Sequence, residues 1–345
     1  MGLKSLFPHP IIQGPMAGGA NTPAMVAAVS NAGGLGSFGA SLLSVDTIRT
    51  QVAETRRLTE RPFMLNFFVQ AVPKPSDEVV AKAGELLKPV WSSLGWQELP
   101  RPAKWCEDFS TQFELMLELK PAVVSFTFDI LPSDQVARLR DAGIFVIGTV
   151  TTVEEAIAWQ AAGADAIVAS GVESGGHRGT FIGEQSAAVM GALDLLPAVL
   201  AAVKIPVISA GNIMNGREIR ERLSMGAAAV QMGTAFLVTD ESGIHPAYKE
   251  RLLTTQGNPT RLTRAFSGRY ARGIENRFMR EMAGVERDMP PYPVQNALTG
   301  SIRAEAAKRG DPELMSLWAG TGVAKCRAMP TAKLMQTLIA EIDNP

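Results

Sequence analysis

The chain has 345 residues, 46% of them hydrophobic, enough to bury the core of one large α/β domain or of two ordinary ones. Lys and Arg number 33 against 34 Asp and Glu, so the sequence lacks the basic excess of proteins that bind nucleic acid or anionic membranes. Two cysteines and three histidines argue against disulfides and a metal site. We expect a cytoplasmic small-molecule protein without a signal peptide or membrane span.

Short apolar segments alternate with amphipathic helical segments, a pattern typical of parallel strands joined by crossover helices. The predicted strands are Pro10–Gln13, Gly34–Phe38, Pro62–Phe68, Ala122–Phe128, Phe145–Val150, Ala166–Ala169, Pro206–Ala210 and Ala229–Met232. The predicted helices are Thr22–Asn31, Ser44–Leu58, Ser133–Ala142, Thr152–Ala162, Val189–Val203, Asn215–Met225 and His245–Thr254. Eight strand–helix units within about 250 residues favour an α/β fold closed as a (β/α)8 TIM barrel.

Two regions depart from this alternation. Residues 69–120 are rich in proline and tryptophan and predict an insertion after the third strand. Residues 261–345 are rich in Arg, Met and helix-forming residues and predict a mostly helical appendage that covers the barrel mouth. We therefore expect a ligand-binding barrel over residues 1–260 and an appendage over residues 261–345.

Residues that can cap helices support the predicted boundaries. Ser133, Thr152 and Asn215 stand at the starts of helical segments, where their side chains can accept a hydrogen bond from a free backbone amide. Gly143 and Gly163 stand where helices should end before the next strand.

The segment Val168–Gly179 is the most informative candidate site. Its apolar strand leads into Gly175, Gly176 and His177, where small residues let the backbone approach a flat ligand closely. Barrel enzymes place catalytic groups at the carboxyl ends of their strands, which makes His177 the candidate catalytic residue. A solvated turn histidine is the alternative.

Two later loops predict a phosphate site. After the seventh strand, Gly211 lets backbone amides approach an anion, and the following helix can offer its amino end. After the eighth strand, Gly233 and Thr234 can add donors. Each loop alone could be a routine turn, but barrels commonly bind phosphate at these two positions together.

A flat cofactor is indicated at the other strand ends. Residues 10–19 are small and weakly charged, and Asn66 after the third strand offers an amide donor and an acceptor to a polar ring edge. FMN meets these requirements, because it is flat, has a polar ring edge and carries a phosphate.

The motifs together resemble the nitronate monooxygenases, formerly called 2-nitropropane dioxygenases. The resemblance spans nearly the whole chain and is carried by Gln13–Met16, Asn31–Gly36, Leu65–Asn66, Glu173–Gly179, Ala210–Asn212, Gln231–Thr234 and Leu317–Gly322. It implies an FMN-bearing TIM barrel that uses O2 to oxidise alkyl nitronates to carbonyl compounds and nitrite. Nitroalkanes are a second substrate class that the resemblance implies. That activity would detoxify nitroalkanes without a metal.

The resemblance also implies roles for particular residues. His177 matches the family's catalytic base, and a neutral imidazole can accept a nitroalkane α-proton near neutral pH. The positions that match FMN contacts are Asn66, Gly175, Gly211, Gln231, Met232, Gly233 and Thr234. Ser170 belongs to the same set, but it stands where the family often has Gln. A serine hydroxyl reaches less far than a glutamine amide.

Two other functions remain open. An FMN-dependent enoyl-ACP reductase that uses NAD(P)H resembles this chain through the barrel and also carries Glu-Ser-Gly-Gly-His. A non-catalytic flavin-binding barrel is the second alternative, although such a binder has no need of His177. The protein is expected to be a monomer or a homodimer.

The substrate contacts are also open at this stage. Arg178 could attract an anionic nitronate, or it could be a surface residue paired with a carboxylate. Tyr248, Tyr270 and Tyr292 are possible hydroxyl donors to the nitro group. We interpret His245 as a helix-start residue.

Overall fold

The computed structural model describes residues 2–343, which contain eleven strands and fifteen α-helices. The strands are β1 (Ile11–Gln13), β2 (Gly36–Gly39), β3 (Phe63–Phe68), β4 (Val123–Thr127), β5 (Phe145–Val150), β6 (Ala166–Ser170), β7 (Gly176–His177), β8 (Val207–Ala210), β9 (Ala229–Met232), β10 (Thr260–Thr263) and β11 (Ala271–Ile274).

The helices lie between and after these strands. They are α1 (Leu3–Leu6), α2 (Pro23–Asn31), α3 (Val45–Leu58), α4 (Asp77–Leu86), α5 (Lys88–Ser93), α6 (Phe109–Leu119), α7 (Ser133–Asp141), α8 (Val153–Ala162), α9 (Ala192–Ala202), α10 (Gly216–Ser224), α11 (Pro246–Thr254), α12 (Arg277–Met282), α13 (Val294–Leu298), α14 (Gly300–Arg309) and α15 (Thr331–Asp343). No helix in this part of the chain is long and apolar enough to cross a bilayer.

Eight parallel strands form the barrel in the order β1-β9-β8-β6-β5-β4-β3-β2. The two ends of this sheet meet at a parallel bridge between Ile12 and Leu35. There the Gln13 amide donates to the Leu35 carbonyl at 3.0 Å, and the Leu35 amide donates to the Ile11 carbonyl at 3.0 Å. The predicted TIM barrel and all eight predicted strands are confirmed.

The barrel strands are buried on both faces, as their continuous apolar sequences predict. Alternate residues point inward and outward: Phe145 and Ile147 of β5 pack inside the barrel, whereas Val146 packs in the layer between strands and helices. Leu3 and Leu6 of α1 pack against the interior residues. The barrel is therefore a filled core that leaves space for ligands only at its ends.

Helix capping follows the sequence at two of the three expected positions. Thr152 and Glu155 form a capping box on α8, and Asn215 accepts a bond from the Glu218 amide at the start of α10. The prediction for Ser133 is wrong, because Pro132 is the N-cap of α7 and Ser133 is already helical. Proline presets a backbone angle compatible with this position, so a capping side chain is not required.

The segment after β3 and the carboxyl-terminal region share an apolar core. Val90 and Trp91 of α5 pack in one cluster with Phe278 and Met279 of α12 and Ile302 of α14. Helix α6 packs instead beside the barrel helices α3 and α7. The assignment of residues 1–260 and 261–345 to two domains stays a prediction.

A second sheet has three short strands in the order β10-β11-β7. Strand β11 pairs antiparallel with β10 on one side and with β7 on the other, where Ala271 lies opposite His177 and Arg272 opposite Gly176. This small sheet attaches the loop after β6 to residues of the carboxyl-terminal region.

Candidate active site

A cavity of about 670 Å³ lies at the carboxyl ends of the barrel strands, within the range of small-molecule sites. Its walls come from the loops after β1, β6, β8 and β9, from the carboxyl-terminal halves of β3, β4 and β5, and from helix α14. All nine residues selected from the sequence line it, namely Asn66, Ser170, Gly175, His177, Gly211, Gln231, Met232, Gly233 and Thr234. Their chemical roles stay predictions.

Two loops present free backbone amides to this cavity. The amides of Gly211 and Asn212, and those of Gly233 and Thr234, donate to no protein acceptor within residues 2–343. Gly211 has φ +120° and Asn212 has φ +52°, so this turn needs residues that tolerate left-handed backbone. Successive unpaired amides in such turns form concave sites for anions.

The expected contribution from the helix after the seventh barrel strand is absent, and that prediction is wrong. The Gly216 amide at the start of α10 donates to the Glu341 carboxylate at 2.8 Å, and the Glu218 amide donates to Asn215 at 3.0 Å. At the start of α9, the Ala192 amide likewise donates to the Glu173 carboxylate at 2.9 Å. An anion in the cavity therefore has the loop amides as its backbone donors.

The glycines of the site serve different purposes. A Cβ on Gly175 would lie 2.5 Å from the Gly320 nitrogen, so this glycine lets the His177 loop pack against another backbone segment. A Cβ on Gly233 would meet nothing closer than the Met16 sulfur at 3.7 Å. The protein itself therefore leaves room for a side chain at Gly233, which is the position expected where a ligand approaches the backbone.

Several polar side chains at the strand ends already form hydrogen bonds within the protein. The Asn66 amide nitrogen donates to the Ser125 hydroxyl at 2.9 Å and to the Thr127 hydroxyl at 3.2 Å, so its carbonyl oxygen is the group offered to the cavity. The Ser170 hydroxyl donates to the Ser174 hydroxyl at 3.0 Å. The Thr234 hydroxyl accepts a bond from the Gly320 amide at 3.0 Å.

His177 lies in an aromatic environment at the cavity wall. Its ring centroid is 5.5 Å from those of Phe128 and Trp318 and 5.6 Å from that of Tyr292. Burial, reinforced by the nearby positive charges of Arg269 and Arg303, lowers the pKa of the imidazole to about 3. The imidazole is therefore neutral at neutral pH and can accept a proton, although it is a weaker base than an exposed histidine.

Phe128, which faces His177, is held in an uncommon backbone conformation. Its φ is +86°, although it is neither Gly nor Asn. Its ring stacks on Phe68 at 4.0 Å, and the Arg269 guanidinium lies over it at 4.2 Å. These contacts hold a strained residue beside the candidate base, a combination common at functional sites.

Arg178 has neither of the roles considered from the sequence. Its side chain is buried and lies outside the cavity lining. The guanidinium donates to the carbonyls of Ser170, Gly171 and Ala188 at 3.0, 2.6 and 3.1 Å. It therefore fixes the loop after β6 from within, rather than attracting a substrate or pairing with a carboxylate at the surface.

Tyr292, one of the three tyrosines considered as hydroxyl donors, lines the cavity wall, together with Arg303, which no sequence pattern indicated. The Tyr292 hydroxyl is buried and has no hydrogen-bond partner among the described residues. Arg303 donates to the Asn296 carbonyl at 2.7 Å and side-chain oxygen at 3.1 Å, and forms no ion pair within residues 2–343. Burial lowers its pKa to about 10, which leaves it charged at neutral pH.

Tyr248 and His245 also line the cavity, but protein partners already occupy the Tyr248 hydroxyl and His245 Nδ1. The Tyr248 hydroxyl donates to the Trp318 carbonyl, and burial raises the pKa of this phenol. Tyr270 lies outside the cavity lining. The expected helix-start role of His245 is confirmed, because its Nδ1 accepts a bond from the Ala247 amide at 3.2 Å at the start of α11.

A closed TIM barrel with a polar cavity at the carboxyl ends of its strands is typical of proteins that bind a small molecule there. The family model described as nitronate monooxygenase matches residues 2–341. A probable nitronate monooxygenase of Staphylococcus aureus strain Newman is 40% identical over 338 residues, covering 97% of this chain and 95% of that protein. The chain belongs to the nitronate monooxygenase family, as its motifs indicated, and is an oxidoreductase that acts on nitro compounds.

Solved structures agree with this assignment. The structure of a nitroalkane oxidase from Streptomyces ansochromogenes has a TM-score of 0.92 at 42% identity and covers 99% of this chain and 97% of that one. FabK from Thermotoga maritima has a TM-score of 0.76 at 30% identity, covering 99% of this chain and 95% of that one. The nitroalkane oxidase is therefore more similar in both sequence and structure.

Proposed function

We propose that this protein oxidises alkyl nitronates, and less efficiently nitroalkanes, with O2 to carbonyl compounds and nitrite, and that it does so with bound FMN. The observation that carries the proposal is the composition of the cavity wall. Free loop amides, a neutral His177, and the Tyr292 hydroxyl and Arg303 Nε, which have no partner within residues 2–343, face one space.

The residues present fit FMN. The free amides of Gly211, Asn212, Gly233 and Thr234 would hold its phosphate, and the open approach at Gly233 would accommodate that group. The Asn66 carbonyl oxygen would accept a bond from the ring edge. When bound, FMN supplies the capacity to accept electrons from the nitronate and to pass them to O2.

Tyr292 and Arg303 would bind the nitro group. A nitronate carries its negative charge on the nitro oxygens. A hydroxyl donor and a guanidinium that forms no ion pair with any described residue complement that charge. A phenol with a raised pKa stays protonated and keeps its proton available to donate, and burial raises the pKa of Tyr292 in this way.

His177 would act as the base when the substrate is a neutral nitroalkane. Its imidazole would accept the α-proton, while the electron pair of the broken C–H bond moves onto the nitro group. Because the pKa of His177 is lowered to about 3, this transfer would be slow, and a preformed nitronate would bypass it. We therefore expect nitronates to be the better substrates.

One experiment separates this function from the alternatives. Purified, FMN-loaded protein is mixed with a preformed alkyl nitronate in air, and O2 uptake and nitrite release are followed. Nitrite formation with O2 uptake, without rapid anaerobic bleaching of the flavin by NADH or NADPH, supports the proposal. Rapid bleaching by a nicotinamide without nitrite formation would assign the protein to the NAD(P)H-dependent reductases. The absence of both reactions would leave a flavin-binding barrel.

A further inference from the structure

We propose that Ser267 is a positioning residue that keeps the imidazole proton of His177 on Nε2 and so leaves Nδ1 as the nitrogen that faces the substrate. The two side chains meet with His177 Nε2 and the Ser267 Oγ 2.8 Å apart. The proposed substrate rests on the function above, whereas the position of the proton can be measured without any substrate.

Counting donors assigns this proton. A serine hydroxyl has one hydrogen to donate and can accept two bonds. The Ser267 hydroxyl donates to the Arg269 carbonyl at 3.0 Å and accepts from the Arg269 amide at 3.4 Å. Since the hydroxyl proton is already used, the bond to His177 requires Nε2–H as the donor and Ser267 as the acceptor.

The acceptor carbonyl is itself held in place. The Arg269 guanidinium donates to the Arg178 carbonyl at 2.9 Å and to the Thr180 carbonyl, and it lies over the Phe128 ring at 4.2 Å. These bonds connect Arg269 to the residues that follow His177 in the chain. The hydroxyl of Ser267 is therefore fixed relative to the imidazole that it orients.

The second ring nitrogen is the one left for chemistry. Nδ1 of His177 has no hydrogen-bond partner within residues 2–343, and the side chain lines the cavity. In the neutral Nε2–H tautomer, Nδ1 carries the lone pair. A nitroalkane would lose its α-proton to Nδ1, while the electron pair of the C–H bond stays on the substrate. The products are an imidazolium and a nitronate.

A hydroxyl in this position differs from the carboxylate that orients many catalytic histidines. A carboxylate fixes the tautomer but also stabilises the imidazolium. The charged and titratable groups that face His177 are Arg269, Arg303 and Tyr292, and no carboxylate contacts the ring among the described residues. Ser267 thus orients the ring while leaving it neutral, which suits a site whose main substrate is already an anion.

The test is nitrogen NMR of the FMN-loaded protein labelled with 15N-histidine. The chain has only three histidines, and the His177→Asn variant identifies the resonances of His177 by their loss. His245 is an internal reference, because its Nδ1 accepts a bond from the Ala247 amide and its proton is therefore on Nε2. We expect His177 to show the same two-bond 1H–15N pattern as His245. A pattern with the proton on Nδ1 would overturn the proposal.

Variants extend the test to Ser267 itself. Ser267→Ala should mix the two tautomers of His177 and lower kcat/KM for a nitroalkane by about 5- to 10-fold, the effect of one lost neutral hydrogen bond. Activity on a preformed nitronate should change much less, and Ser267→Thr should restore the wild-type NMR pattern. The matched control is Ser30→Ala, which removes a buried hydroxyl that donates to the Pro62 carbonyl at 2.9 Å, outside the cavity lining.

The outcomes separate this proposal from the proposed function. An unchanged tautomer in Ser267→Ala, with unchanged nitroalkane turnover, would overturn the role of Ser267 while leaving nitronate oxidation intact. An Nε2–H tautomer in a protein that does not oxidise nitronates would keep the positioning role and overturn the function.

Discussion

His177 and Tyr292 face each other with their ring centroids 5.6 Å apart and their planes inclined by 70°. His177 belongs to β7, which follows β6, and Tyr292 belongs to the segment before α13. The site is therefore completed only when the carboxyl-terminal region packs over the barrel. The tyrosine contributes a buried hydroxyl that has no hydrogen-bond partner in the described part of the chain, and the histidine contributes a neutral imidazole.

Tyr292→Phe should lower kcat/KM for a nitronate by about 10- to 100-fold, the effect of losing one hydrogen bond to a charged group. FMN content should stay unchanged, because the hydroxyl faces the proposed substrate position. Steady-state O2 uptake measures the effect, with Tyr270→Phe as the matched control outside the cavity lining. Equal losses in the two variants would remove Tyr292 from the substrate site.

Arg303→Met should raise KM for a nitronate by about 10- to 100-fold and affect a neutral nitroalkane less, because only the nitronate carries a full charge. Arg309→Met on the same helix is the control, since that guanidinium pairs with Glu305 at 2.7 Å away from the cavity. Substrate titrations at fixed enzyme concentration give both constants. An unchanged KM for the nitronate would show that Arg303 does not bind it.

Glycine substitutions separate cofactor binding from folding. Gly233→Ala should leave the Tm of the apoprotein nearly unchanged, because the new Cβ has room, but it should weaken FMN binding at the phosphate loop. Gly175→Ala should lower the Tm with or without FMN, because its Cβ would lie 2.5 Å from the Gly320 nitrogen. Flavin fluorescence titration and thermal unfolding measure the two effects. Normal FMN affinity in Gly233→Ala would place the phosphate elsewhere.

The lowered pKa of His177 predicts a pH dependence of stability. The imidazole is neutral in the folded protein down to about pH 3, but in the unfolded chain it takes up a proton below about pH 6.5. The unfolded state thus binds more protons, and stability should fall by about 1.4 kcal/mol for each pH unit below that value. Urea unfolding at fixed FMN concentration should show this loss in the wild type and a smaller loss in His177→Gln between pH 7.5 and 5. An equal loss of stability in the wild type and in His177→Gln over this pH range would contradict the lowered pKa of His177.

The sequence predicted the barrel because its strands are continuous apolar segments separated by helices with clear ends. Strand β7 could not be found in this way, because it has two residues, Gly176 and His177, and its partner β11 is distant in the chain. The occupied amino end of α10 is not predictable from sequence for a similar reason. The carboxylate that occupies it, Glu341, comes from α15, and no local pattern indicates that contact.

The cavity residues likewise fall into those that local sequence pattern predicts and those that depend on tertiary packing. Those at strand ends, such as Asn66 and Gly211, were predictable because parallel strands all end at one side of a barrel. Tyr292 and Arg303 depend on how α13 and α14 pack over that side, which sequence periodicity does not specify. The buried position of Arg178 likewise depends on three carbonyls that the folded loop brings together.

The most direct test of the proposed chemistry compares two substrates in His177→Asn. If His177 removes the α-proton, the variant should lose about 10²- to 10⁴-fold in kcat/KM for a neutral nitroalkane, the usual contribution of a general base, and far less for the corresponding preformed nitronate. The rates are measured by O2 uptake with the FMN content of each preparation matched. Equal losses on the two substrates, or no loss on either, would contradict the role of His177 as the base.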